Sequence, residues 1–255
     1  MDDNIARKIV RSLDLKEGDN LIEIGPGQGA LTKHFAEAGC NFAAVELDKE
    51  IYNRLKKEYK GKVTLIHKDF LKLSYDKDIK DIFRNVEKIK IAGNIPYNIT
   101  TEILFKIFGM REYVSEAVLM MQKEVARRLT AKIGTKDYGI LAINTELNSV
   151  TKVLFDVPPT AFFPKPRVHS SMVSVRLEER YPGLKDRELF TKVVRESFGQ
   201  RRKVMRNSLK NLFEKLRIPF GEIEFDFSRR PESVSAAEFV KLSNEILDLT
   251  GSEKD

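Results

Sequence analysis

The run Lys90-Ile-Ala-Gly-Asn-Ile-Pro-Tyr-Asn-Ile-Thr-Thr101 puts a neutral amide, a residue without a backbone N–H and an aromatic ring at the end of an apolar segment. Together these groups can present an amine conjugated to an aromatic ring for alkylation. The lone pair of such an amine is delocalised, so the nitrogen is a poor nucleophile. Two acceptors holding its two N–H bonds bend it toward tetrahedral geometry and aim the lone pair. The side-chain oxygen of Asn94 can be one acceptor. The carbonyl of Ile95 or Pro96 can be the other, with the Pro96 ring stiffening the backbone. Tyr97 can stack on the base, as aromatic faces hold unstacked bases. No strong base is required, because the cationic product sheds a proton readily, and orientation carries most of the catalysis. Taken alone, the same residues also suit an Asn- and Pro-rich turn, and the rest of the chain must decide.

A second cluster lies upstream, in Glu23-Ile-Gly-Pro-Gly-Gln-Gly-Ala-Leu-Thr32. Gly25, Gly27 and Gly29 permit a tight turn and a close ligand approach. Glu46 follows Gly25 by 21 residues, at the end of the next apolar run. A carboxylate there can accept from both hydroxyls of a ribose. Dinucleotide folds also use a glycine loop and a later acid, but with G-x-G-x-x-G spacing. The spacing here is G-x-G-x-G, with Glu23 two residues ahead, which suits S-adenosylmethionine, a cofactor with an amino-acid moiety and no phosphate. A nicotinamide or flavin site and a ligand-free turn remain open at this point. Asp69 can accept from the exocyclic amine of a cofactor adenine, or can cap a helix.

These residues need a scaffold that brings strand ends together. Runs 21–24, 41–45, 63–66, 89–92 and 117–121 read as strands, with helical patterns near 29–38, 49–59 and 100–108. That alternation predicts βαβ units and a parallel sheet with helices on both faces. Ligands of such sheets sit at the C-terminal strand ends, near the reversal of strand order. Two further strand-like runs, 149–155 and 171–177, flank the loop Val157-Pro-Pro-Thr-Ala-Phe-Phe-Pro-Lys-Pro-Arg-Val168 and predict an antiparallel hairpin at the sheet edge. After residues 179–186 the strand signals stop and helical patterns run to the end, broken near Ile218-Pro219 and Arg229-Arg230-Pro231. The expectation is a domain at 1–180 and a helical one at 184–255.

The 255 residues carry a net charge of +7. Segment 192–217 holds nine Lys or Arg and two Glu, which equals the whole excess. A polyanionic partner is one reading and a solvated basic helix face the other. On the helical spacing, Met205, Leu209 and Leu212 share an inward face, and Arg202, Arg206 and Lys210 share one that can reach phosphates. No apolar run approaches the roughly 20 residues of a membrane span, and no signal peptide is visible. The single cysteine and three scattered histidines offer no metal-ligand spacing. A cytoplasmic setting is expected, with no metal and a monomeric chain.

The chain resembles the adenine-N6 methyltransferases, and more closely the KsgA-type ribosomal RNA adenine dimethyltransferases. The matching segments, in order, are EIGPGQGALT, VELD, GNIPYNIT, MQKEVARRL, YGILAI, VPPTAFFPKPRVHSSMV and FGQRRKVMRNSL. The resemblance implies a Rossmann-like S-adenosylmethionine-dependent methyltransferase fold: a mostly parallel seven-stranded sheet with an antiparallel edge hairpin, plus a small C-terminal all-helical domain. It implies dimethylation of two adjacent adenines in the 3′-terminal hairpin of small-subunit rRNA during assembly of the immature small ribosomal subunit, with S-adenosylhomocysteine as by-product. Glu23, Gly25, Gly27, Glu46, Asp69 and Asn94 would line the cofactor site. Asn94, Pro96 and Tyr97 would hold the target base, with Phe162 as a second aromatic wall or a packing residue. Lys165, Arg167, Arg201, Arg202, Lys203, Arg206 and Lys210 would contact RNA. The antibiotic-resistance methyltransferases of large-subunit rRNA share the catalytic motifs but match the QRRK…RNSL segment less well. A catalytically weak assembly factor is a third reading. Family members open with a basic segment and a G-Q-(N/H)-F-L motif. The given chain begins with Met-Asp-Asp-Asn-Ile-Ala-Arg, which resembles the family's first helix, immediately C-terminal to that motif, so the contacts of the motif are unassigned.

Overall fold

In this computed structural model, which describes residues 1–84 and 86–251, the chain forms two compact units. The first comprises residues 1–126 and 149–178, and the second 127–148 and 179 onward.

The first unit is built on seven strands, β1 (Asn20–Ile24), β2 (Asn41–Glu46), β3 (Thr64–His67), β4 (Ile89–Asn94), β5 (Val114–Gln122), β6 (Ser149–Val157) and β7 (Ser170–Leu177). Their order is β3-β2-β1-β4-β5-β7-β6. β1 to β5 run parallel, and β7 lies antiparallel to both β5 and β6. This is the expected edge hairpin. The parallel strands are near-continuous apolar runs because both faces are covered: Leu21, Ile22, Ile91 and Ala92 are all fully buried. Helices α1 (Asp3–Ser12), α2 (Thr32–Phe35), α3 (Lys49–Glu58) and α5 (Thr100–Gly109) supply the cover, while the short α4 (Lys80–Ile82) buries no residue. Asp48 starts α3 by accepting from the N–H groups of Glu50 (2.8 Å) and Ile51 (2.9 Å). A core of Ile9, Leu21, Phe35, Val118, Met120 and Met172 locks the layers.

The chain steps outward from β1 to β3 and then returns to β4, so strand order reverses between β1 and β4. The register pairs Ile24 with Gly93. Gly25 and Asn94 are therefore the next residues on neighbouring strands. Gly93 is required by this close approach, since a Cβ there would lie 2.7 Å from the Ile24 carbonyl oxygen.

The second unit is helical, with α6 (Lys123–Leu129) leading into it, followed by α7 (Ile140–Asn148), α8 (Arg187–Gly199), α9 (Met205–Ser208), α10 (Lys210–Leu216) and α11 (Ala236–Gly251). Its core unites Tyr138, Phe190, Met205, Leu209, Phe213 and Phe239. Segment 127–148, which the sequence reading placed in a 1–180 domain, packs with this core because Tyr138, Ala142, Ile143 and Leu147 all face it. Tyr138 also donates to the Val234 carbonyl (3.0 Å). Met205, Leu209 and Leu212 point inward as expected. Arg202 does not share a helical face with Arg206 and Lys210: residues 200–204 form a turn, closed by the Lys203 N–H on the Gln200 carbonyl (2.7 Å). Ser235 and Glu238 cap α11 reciprocally: the Ser235 N–H donates to the Glu238 carboxylate (2.8 Å) and the Glu238 N–H to the Ser235 hydroxyl (3.2 Å). Among the described residues, no helix is long and apolar enough to cross a membrane.

Candidate active site

The site starts from the glycine loop after β1. Gly25, Gly27 and Gly29 have φ of +61°, +54° and +82°, a region that costs any residue with a Cβ. Apart from Gly25 and its two chain neighbours, no atom of the described residues lies within 4 Å of where a Gly25 Cβ would sit, so backbone conformation rather than crowding selects glycine there. The loop is braced from two sides. The Glu46 carboxylate, at the end of β2, accepts from the N–H groups of Gly27 (3.2 Å) and Asp48 (2.9 Å). The Arg54 guanidinium donates to the Gly27 carbonyl (2.9 Å).

Glu23, on β1, is only 2% exposed. Its carboxyl accepts from the Thr32 hydroxyl at 2.7 Å. Burial pushes its pKa up to about 8; the hydrogen bond from Thr32 opposes this and the negative charge of Glu46 adds to it. Burial thus favours the neutral acid over the carboxylate at Glu23.

Opposite the glycines, β4 ends in the amide-proline-tyrosine cluster. The Ile95 N–H donates to the Met120 carbonyl on β5 (3.0 Å). The Pro96 carbonyl accepts from the Ile99 N–H (3.2 Å) and the Thr100 hydroxyl (3.1 Å). Both its lone pairs are engaged, which favours the Ile95 carbonyl as a second acceptor beside Asn94. The Tyr97 hydroxyl shares a hydrogen bond of 2.7 Å with Ser170 at the start of β7, which fixes the ring.

A cavity of about 450 Å³ joins the two clusters. Glu23, Gly25, Gly27 and Gln28 line it from the first, and Asn94, Pro96 and Tyr97 from the second. Phe162 and Phe163 complete the wall. Phe162 is half-buried and packs on the core of the first unit, while Phe163 is 96% exposed. Sequence reasoning singled out neither Phe163 nor Gln28; the doubled aromatic in the Pro-rich loop was the available signal for Phe163. Two expected residues lie outside the wall. Glu46 acts on it through Gly27, and the Asp69 carboxylate accepts from the Leu71 N–H (2.9 Å), capping a short turn after β3.

The expected RNA contacts divide between the units. Lys165 and Arg167 are exposed on the loop that carries Phe162. In the helical unit, Arg202 and Lys203 are exposed, while Arg201 donates to the Lys136 (2.7 Å) and Thr135 (3.3 Å) carbonyls. Lys210 lies 3.7 Å from Glu214, and the Arg206 guanidinium sits over the Phe220 ring. Among the described residues, no group of three or more His, Cys, Asp or Glu side chains is arranged to hold a metal ion.

Comparison with known proteins adds a finding independent of this geometry. Residues 1–246 match the family model described as ribosomal RNA adenine dimethylase. The chain is 41% identical over 248 residues to the ribosomal RNA small subunit methyltransferase A of Chlorobium phaeobacteroides (strain BS1), covering 97% of this chain and 90% of that protein. It is 36% identical to the protein of the same name from Pseudomonas aeruginosa, covering 98% and 92%. Among solved structures, a dimethyladenosine transferase from Plasmodium falciparum aligns with a TM-score of 0.76 at 24% identity, over 97% of this chain and 96% of that one. The 23S rRNA methyltransferase ErmE aligns at 0.62 and 22%, over 96% and 98%. At these identities the two structures speak to the fold.

Proposed function

The chain belongs to the ribosomal RNA adenine dimethylase family, and from that premise we propose that it transfers methyl groups from S-adenosylmethionine to the N6 amines of two adjacent adenines in the 3′-terminal hairpin of small-subunit rRNA. One observation carries the reading: the β1–β4 register makes Gly25 and Asn94 neighbours, so the glycine loop and the amine-holding cluster share one cavity.

The residues present fit the cofactor. Unfilled space at Gly25 admits a ligand against bare backbone, and the carboxyls of Glu23 and Glu46 suit its cationic and hydroxyl groups. S-adenosylmethionine supplies an electrophilic methyl group when bound. The chain's own contribution is geometric. The Asn94 amide oxygen and the Ile95 carbonyl accept the two N–H bonds of the adenine amine and bend its nitrogen out of conjugation. Tyr97, pinned by Ser170, supplies one stacking face, and Phe162 supplies the second. The methylated amine is cationic and releases its proton to water, so no side chain here has to act as a strong base. Placement of the two reactants then accounts for most of the acceleration. Lys165 and Arg167, with the basic surface of the helical unit, hold the phosphates of the immature small subunit. We also assign the protein to the cytoplasm, acting as a monomer.

The test is to incubate the protein with labelled S-adenosylmethionine and unmethylated small subunits, then digest and measure nucleosides by mass spectrometry. N6,N6-dimethyladenosine at two adjacent positions is expected. Its absence, or label in large-subunit rRNA instead, would overturn the reading.

A further inference from the structure

The helical unit holds a cavity of its own, of about 530 Å³, between α9, α10 and the turn after α10. That volume lies within the range of small-molecule sites. Arg206, Lys210 and Arg217 supply cations to its wall, against one acid, Glu214. Lys210 lies near Glu214, but neither Arg206 nor Arg217 has a carboxylate partner among the described residues. The other wall is aromatic. Phe220 stacks on Phe213 with centroids 4.1 Å apart and planes within 6°. Phe227 meets Phe213 edge-on at 5.3 Å and Phe220 at 4.8 Å, which ties the stack to the buried core. The Arg206 guanidinium lies over the Phe220 ring, 5.1 Å from its centroid. Arg217 ends α10 in the left-handed region, with φ 57° and ψ 29°, where glycine is the usual choice. The chain thus keeps a long cation at a position whose backbone favours no side chain.

A bare polyanion would need only the charges. Flat apolar surface beside them, within a concave wall, selects a ligand with both a π face and a phosphate. We propose that this cavity binds one unstacked nucleotide of the RNA substrate, its base stacked on the Arg206 guanidinium that covers the Phe220 ring and its phosphate between Lys210 and Arg217. Asn207, in the same wall, offers an amide donor and acceptor to the base edge. Aromatic rings and guanidinium planes hold single-stranded bases in this way. The inference rests on RNA being the substrate, and it adds a contact point separate from the nucleotides that are methylated.

The chain contains no tryptophan, so Phe220→Trp introduces a single tryptophan at the cavity, excited selectively at the red edge of its absorption where the tyrosines do not absorb. Its emission is followed during titration with single-stranded oligo(A) and oligo(U) hexamers, naked small-subunit rRNA and heparin. Saturable quenching by the RNAs is expected, and none by heparin. Phe220→Leu, which keeps an apolar contact on Phe213, should weaken hexamer binding about tenfold. Arg217→Gly should raise the melting temperature and lower the slope of log K against log salt by about one. Lys215→Gln, which removes an exposed cation of α10 outside the cavity wall, should leave the slope unchanged. RNA binding without quenching, equal quenching by heparin, or equal slopes for Arg217→Gly and Lys215→Gln would overturn the proposal while wild-type methylation stands. If the wild-type protein neither binds nor methylates rRNA, this site and the proposed function fall together.

Discussion

Glu23→Gln isolates the electrostatics of the cofactor cavity. The carboxyl is 2% exposed, and its pKa rises from 4.5 to about 8 on folding. Because the folded value is raised, the folded state binds a proton that the unfolded state has already released between those two pH values. The slope of unfolding free energy with pH is therefore negative across that window. At about 1.4 kcal/mol per pH unit, the full span amounts to about 5 kcal/mol. The contribution is complete below pH 4.5 and gone above about pH 8. Glutamine keeps an oxygen to accept from Thr32 but does not titrate. Urea unfolding of both proteins from pH 5 to pH 9 should show the wild type losing several kcal/mol more than the variant as pH rises. Parallel stability curves would refute the reasoning. The same charge logic extends to ligand binding, since a cationic cofactor favours the carboxylate. Calorimetry in buffers of different ionisation enthalpy should detect proton release on S-adenosylmethionine binding at pH 7 for the wild type, and none for Glu23→Gln.

Four other outcomes are expected. Gly93→Ala drives a Cβ to 2.7 Å from the Ile24 carbonyl oxygen, so denaturant unfolding should show a loss of about 1–3 kcal/mol together with weaker cofactor binding. Asn94→Ala removes one of the two proposed amine acceptors from an exposed strand end; methyl transfer should fall by at least about 100-fold with an unchanged melting temperature. Phe163→Ala deletes a ring that is 96% exposed, so stability should stay within about 0.5 kcal/mol while methylation of small subunits drops several-fold. Glu238 is held at about 2 chiefly by its hydrogen bond from Arg229, so its contribution is present above pH 4.5 and lost as pH falls through about 2. With 39% of that side chain exposed, Glu238→Gln should cost only about 1 kcal/mol at pH 7, and the gap should close in acid titration between those values.

The sheet was legible because its strands are short apolar runs alternating with helical patterns, and the edge hairpin because two such runs succeed each other without a helix between. The placement of Asn94, Pro96 and Tyr97 beside the glycine loop was legible for a related reason, since they sit at and just after the end of β4 and the sheet fixes what a strand end faces. Residues that reach the site through another group were harder to read. Glu46 braces the glycine loop through the Gly27 N–H, a contact that spacing alone does not announce. Asp69 had two readings on the sequence, and in the structure its carboxylate caps a turn. Segment 127–148 went to the wrong neighbour because apolar positions announce burial but not the core that receives them. Arg202 was displaced by a turn at 200–204 that opens directly after Gly199, the last residue of α8, so the helix stop was written in the sequence. Phe163 is 96% exposed beside half-buried Phe162, and two adjacent aromatics in a loop do not say which ring stays free.

The strand order also sets a timetable for synthesis. β7 is the last strand made, yet it sits between β5 and β6, so β5 keeps an unpaired edge until residue 177 has left the ribosome. Making residues 123–177 takes on the order of 3–10 s at about 5–20 residues per second. During that interval the nascent chain carries an open apolar edge through Val118, Leu119, Met120 and Met121, a hazard for pairing with other chains. Tyr97 likewise lacks Ser170, its anchor on β7. The cavity wall that carries Tyr97 is consequently among the last parts of the first unit to mature, and slow or stalled translation past β5 would prolong the exposure of that edge.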